Sequence, residues 1–174
     1  SAIASGYKYM LIVTSDEAKA RKMCDDASFF NKEAIYYPAK DAIFYSADVH
    51  GNQITGERLR CISRIINHSS TGEGVLTVVT TMDGIADRLI PVERFKEAVI
   101  TLDYSSEIEP EKLAKKLVAM GFVRTGMVED KGQFAIRGGI IDIFSYTDEA
   151  PVRIELWDTE VDSIRMFDVE SQRS

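Results

Sequence analysis

The sequence predicts an α/β protein in two parts: a partial parallel-sheet domain over residues 1–100 and a small α+β module over 101–174. Three observations carry that prediction. Strand-like and helix-like segments alternate from Tyr7 to about Leu102. Beyond one helix near residue 110, every segment reads as strand. A chain of 174 residues, 45% of them apolar, is long and apolar enough to bury a core.

The elements follow in order. "YKYMLIVT" (7–14) reads as a strand, "DEAKARKMCDDASFF" (16–30) as a helix and "AIYYP" (34–38) as a second strand. A helix covers "TGERLRCISRIINHS" (55–69), with Thr55 as N-cap, Leu59, Ile62, Ile65 and Ile66 as its core stripe and Arg58, Arg60 and Arg64 outside it. "GVLTVVT" (74–80) is a strand, "MDGIADRLI" (82–90) a short helix and "EAVITLD" (97–103) a further strand. Unbroken apolar runs such as "MLIV" and "VLTVV" are what strands buried on both faces look like, so helices are expected on both sides of a parallel sheet. The second part opens with "EPEKLAKKLVAMG", where Pro110 starts and Gly121 stops a helix. Leu113, Leu117 and Met120 share one face of it, and Lys112, Lys115 and Lys116 the other. Strands are then expected at 122–128, 132–137, 140–146, 151–157 and 160–167.

Charge narrows the function. The net charge is -7 and the pI about 4.9, which opposes a primary task of neutralising phosphates. Residues 1–98 hold 12 basic and 13 acidic side chains, and 99–174 hold 9 and 15, so the second part carries most of the negative charge. Cys24 and Cys61 stand far apart without CxxC or Cys/His spacing, and buried free thiols are expected rather than zinc ligands. His50 and His68 are isolated, which fits loop or helix-end positions. No run approaches the length of a membrane span and no signal sequence opens the chain, so a cytoplasmic protein is expected.

"GQFAIRGGIIDIFS" (132–145) is the most informative stretch. If Gly138 and Gly139 make a two-residue hairpin turn, Arg137 faces Ile140, Ile136 faces Ile141 and Phe134 faces Ile143. One face is then Phe134, Ile136, Ile141 and Ile143, an apolar surface that belongs to the core. The other carries Gln133, Ala135, Arg137, Ile140, Asp142 and Phe144. An aromatic and an arginine on an exposed sheet face are the composition of a binding hot spot. The alternative is that Phe144 tucks under a neighbouring loop and Arg137 pairs with Asp142, and composition alone leans that way.

Catalytic patterns are weak. "STGEG" (70–74) has glycines but lacks the lysine of a P-loop. Glu155 with Asp158, and Glu160 with Asp162, supply carboxylates but no nucleophile or basic clamp accompanies them. The basic side of the 55–69 helix reads first as a solvated face.

The same residues carry a family likeness. "GQFAIRGGIIDIFSYTDEAPVRIELWDTEVDSIRMFDVESQRS" resembles the UvrB-homology region of the transcription-repair coupling factor (Mfd) family, which is related to UvrB: an aromatic, then RG, then a D-[IVL]-F run, then [VI]-R-[IL]-[ED], and a D-E-[IV]-[DE]-S hairpin ending in F-D. The closing "FDVESQRS" favours the coupling factors over UvrB itself, which stands as the alternative. Upstream, "PAKDAIFYSADVHGNQITGERLRCISRII" is similar to the proline, acidic and aromatic segment of the same family.

The resemblance implies a degenerate RecA/helicase-like domain followed by a UvrA-binding α+β domain. It implies UvrA as partner, with RNA polymerase and DNA as partners of the longer parent. No catalysis and no cofactor are expected in these residues, and ATP and magnesium belong to motor domains elsewhere in the parent. The family's first nucleotide-binding loop is expected to precede the strand at 7–14. Carried over by motif, the partner-binding residues are Arg124 in "GFVRT", Arg137 in "IRGG" and Phe144 in "DIF", with Asp142 aligning Arg137 or taking a partner's arginine. Many UvrB sequences hold another arginine two residues before the RG, where this chain has Ala135.

Overall fold

The computed structural model of the chain describes residues 6–40, 49–71 and 74–174. They form two compact units divided between Val92 and Glu93. The segment 41–48, within the upstream stretch of family likeness, lies outside the described residues, as does the side chain of His50.

The first unit is a parallel sheet with helices on both faces. It contains β1 (Tyr9–Thr14), α1 (Glu17–Phe30), β2 (Ala34–Tyr37), α2 (Val49–Thr71), β3 (Leu76–Thr81) and α3 (Met82–Ala86). The strand order is β1-β3-β2 and both pairings are parallel. Asp16 caps α1 by accepting the Lys19 backbone N–H at 2.9 Å. On one side of the sheet Ala20 and Cys24 pack with Val79, Ile12 and Tyr36; on the other, Cys61, Ile62 and Ile65 of α2 pack with Leu76 and Val78. Both cysteines are buried free thiols, and burial pushes the Cys61 thiol up to about 12.

Burial on both faces holds only for the central strand. All six positions of β3 are buried, whereas β1, an edge strand, leaves Leu11 59% exposed. α2 also begins earlier than the sequence suggests. Thr55 lies inside it rather than at its cap, and a Gln53 to Glu57 hydrogen bond of 3.2 Å spans the added turn. Arg58 turns inward instead of outward: it donates to the Pro38 carbonyl at 2.7 Å, approaches Asp87 at 3.2 Å and covers the Tyr37 ring.

The second unit holds the rest of α4 (Val92–Ala98), α5 (Pro110–Ala119), β4 (Val123–Arg124), β5 (Gln133–Arg137), β6 (Ile140–Phe144), β7 (Val152–Trp157) and β8 (Glu160–Met166). Its sheet runs β4-β5-β6-β7-β8, with β4 parallel to β5 and the other neighbours antiparallel. Leu113, Ala114 and Leu117 of α5 pack on Phe134, Ile141, Ile154 and Val161. The strand expected at 97–103 does not form. Glu97 and Ala98 finish α4, the Val99 amide bonds back to the Lys96 carbonyl, and Ile100 and Leu102 pack on the core without a ladder. The strand expected at 122–128 shrinks to two residues, because the chain after Arg124 folds back and buries Val128 on the far side of the sheet.

Candidate functional site

The β5–β6 hairpin has the register read from its glycine pair: Arg137 faces Ile140, Ala135 faces Asp142 and Phe134 faces Ile143. Gly138 takes a φ of +61°, the left-handed geometry that a two-residue turn needs. Gly139 serves a different purpose. A Cβ there would stand 2.9 Å from the Leu156 carbonyl oxygen, so it is the chain's own β7 that approaches this backbone.

The face with Phe134 and Ile141 points into the α5 core, as expected. The opposite face is not bare. The loop after β4 and the segment after β8 fold over it, and Val128, Ala135, Phe144 and Phe167 form a second small core with Val169 against them. Phe144 is only 8% exposed, which corrects its expected place on the solvent side. Lys131 stacks over its ring, 5.5 Å from the centroid. Ala135 is 1% exposed within the same core, so the site of the missing family arginine is filled by packing.

A charge cluster sits beside this second core. Asp142 is fully buried, and its carboxylate accepts from three N–H groups: Arg137 Nη2 at 2.5 Å, Arg153 Nε at 2.7 Å and Arg153 Nη2 at 2.9 Å. A buried carboxylate must be paired, and the two guanidiniums supply the pairing. The hydrogen bond from Arg153 to Asp142, with its charge, holds the arginine's pKa above the usual value against the opposing pull of burial. Arg153 also stacks 4.5 Å from the Phe167 ring centroid.

Of the four residues singled out in the sequence, the structure therefore brings Arg137, Asp142 and Phe144 to one sheet face, with only Arg137, 44% exposed at its side chain, reaching solvent freely. Arg124 is also exposed, at 47%, but pairs in register with Phe134 and approaches Glu111 of α5 at 3.5 Å. Side chains opposite each other in a ladder share a face, so Arg124 leaves the sheet on the α5 side and Arg137 on the other. What the two share is the β4 edge: Arg137 Nη1 lies 3.5 Å from the carbonyl of Gly126, just past β4. Apolar Val123 and Met127 are exposed along that edge.

Sequence reasoning missed Arg153. Its signal is the β6–β7 register, which sets it directly opposite Asp142 and which the turn over 145–151 does not announce. Of the carboxylates considered for acid/base chemistry, Glu155 has structural partners instead. Glu155 accepts from Ser163 at 2.9 Å and from Arg165 at 3.3 Å. No group of metal-ligating side chains is found among the described residues, and no described helix is long and apolar enough to cross a membrane.

Residues 100–174 match the UvrB interaction domain. The chain is 39% identical over 169 residues to the transcription-repair-coupling factor of Bacillus subtilis (strain 168), which is 96% of this chain and 14% of that protein. It is 37% identical over 173 residues to that of Staphylococcus aureus (strain USA300), covering 98% of this chain and 14% of the relative. The counterpart from Staphylococcus haemolyticus (strain JCSC1435) is 37% identical over 169 residues. The chain thus spans about one seventh of the curated relatives it matches and, with a UvrB interaction domain in its second unit, belongs to the transcription-repair-coupling factor family.

Proposed function

We propose that the second unit is a non-catalytic docking module that binds UvrA and so links excision repair to a stalled RNA polymerase. One observation carries the reading most directly: within a UvrB interaction domain, Arg137 stands exposed while a fully buried carboxylate holds it in place. A cation fixed before binding loses less side-chain entropy on meeting an acceptor, and so makes a better hot spot than a free one. Arg137 and Arg124 are the contact residues, at the β4 edge with Val123 and Met127 beside them. Asp142 and Phe144 act from beneath, the first by orienting Arg137 and the second by filling the small core that supports the sheet.

The first unit is a degenerate helicase-like domain in this reading, and residues 1–100 and 101–174 act as separate parts. ATP, magnesium and DNA engage other parts of the longer protein in the cytoplasm, and these 174 residues hydrolyse nothing by themselves. Titration of the chain with purified UvrA tests the docking. Saturable binding that weakens at least about 30-fold in Arg137→Ala, with the variant still folded by circular dichroism, is the expected result for a central arginine. Absence of binding by the native chain overturns it.

A further inference from the structure

The contacts around Asp142 close into a ring. Arg137 donates to Asp142 at 2.5 Å, and Arg153 grips the same carboxylate with two N–H groups. Arg153 Nη1 donates to the Gln172 carbonyl at 3.0 Å. Gln172 Nε2 donates to the Val128 carbonyl at 3.1 Å and to that of Val169 at 2.8 Å. Val128 belongs to the same loop as Gly126, whose carbonyl lies 3.5 Å from Arg137 Nη1.

Gln172 joins the two halves of this ring with opposite ends of its chemistry, its backbone oxygen holding Arg153 and its side-chain amide holding the loop. It is one of two non-glycine residues with positive φ, at +57°, among the described residues. That backbone is disfavoured for a residue with a Cβ. Asp168 holds the turn in place by accepting the Ser171 amide at 2.8 Å, while the Gln172 amide donates to the Asp168 carbonyl at 2.8 Å.

We infer that Gln172 is a positioning residue for Arg137, acting through Arg153 and Asp142. The inference rests on the docking reading for its functional consequence. Arg153 occupies Asp142 Oδ1 and shares Oδ2, so Arg137 is left with one carboxylate oxygen. A guanidinium has five N–H donors in a planar fork, and one that cannot make a two-pronged bond to Asp142 keeps a pair of donors facing outward. Releasing Arg153 from Gln172 frees it to leave the carboxylate. Arg137 then takes the vacated oxygen, turns inward and spends on Asp142 the donors that face a partner.

The test uses the whole chain with Gln172→Gly, alone and combined with Arg137→Ala; the change suits the positive φ and removes the side-chain amide that ties residue 172 to the Val128 and Val169 carbonyls, so that the backbone carbonyl gripping Arg153 is no longer anchored. UvrA affinity is expected to fall roughly three- to tenfold in Gln172→Gly. In the Arg137→Ala background the same change is expected to add nothing. An equal loss in both backgrounds would make Gln172 a general support and overturn the inference.

A second measurement separates this inference from the docking reading. In arginine-labelled chain, the Nε–Hε resonance of Arg137, assigned by its disappearance in Arg137→Ala, is expected to shift in Gln172→Gly. If Arg137→Ala leaves UvrA binding intact, the docking reading fails, and this resonance still decides the positioning. A resonance that stays in place sinks it.

Discussion

The two faces of the five-stranded sheet are built by different rules. Toward α5, Phe134, Ile141 and Ile154 are fully or almost fully buried and need only shape and volume from their neighbours. Away from α5, the cover is a loop and a turn, and a fully buried Asp142 with two arginines takes a place that apolar side chains fill on the first face. The difference teaches where specificity resides. An apolar face tolerates exchange of similar volumes, whereas a buried carboxylate and the guanidiniums around it depend on one another's charge.

The sharpest way to break the contrast is Asp142→Ala. It leaves two guanidiniums without their common acceptor, and urea unfolding is expected to show a loss of about 4 kcal/mol. A loss under about 1 kcal/mol would mean that the arginines find water or other acceptors and that the two faces do not differ in kind. Next in size is Gly139→Ala, whose new methyl meets the Leu156 carbonyl oxygen at 2.9 Å, a backbone atom that cannot swing aside. About 2 kcal/mol is expected, read from the same unfolding curves.

On the apolar face, Ile141→Val removes one methylene from a well-packed site and is expected to cost about 1 kcal/mol. UvrA binding should be unaffected by it, since the site's charges are untouched. The smallest effect concerns acid. The Ser171 backbone N–H, and then its hydroxyl, hold the Asp168 carboxyl below its ordinary value of 3.8. A depressed folded pKa means that this carboxylate supports the turn above the unfolded value and stops doing so as pH falls through the folded one. The Ser171 amide resonance should therefore move below about pH 4, and Asp168→Asn should abolish that movement. A Ser171 titration unchanged in Asp168→Asn would assign it to another group.

Much of the fold is legible because its cues are local. Gly138 and Gly139 set the β5–β6 register, and alternation around them selects the core face. The apolar run at 75–79 announces the buried central strand β3. What escaped depends on distant chain. Phe144 looks solvent-facing until Phe167 and Val169 come back over it, and Arg58 looks like a surface cation until the Pro38 carbonyl and the Tyr37 ring receive it. The alternation of Val99 to Leu102 suggests a strand, yet no strand among the described residues offers it a ladder, so its apolar side chains pack without one. The exposed arginines could be picked out from their motifs, while their emergence from opposite sheet faces follows from pairing that no short motif encodes.

The strand order β1-β3-β2 has a consequence for the making of the protein. β1 and β2 share no hydrogen bonds and meet only through β3, the last of the three to be synthesised. Among the described strands, the ladder begins with Tyr9 opposite Leu76, so neither β1 nor β2 can pair with β3 until about residue 76 has left the ribosome, and the nascent chain must hold both largely apolar segments apart from that partner until then. The strands β5 to β8 follow the opposite schedule. Each pairs with the one just made, and that sheet can grow in the order in which it is translated.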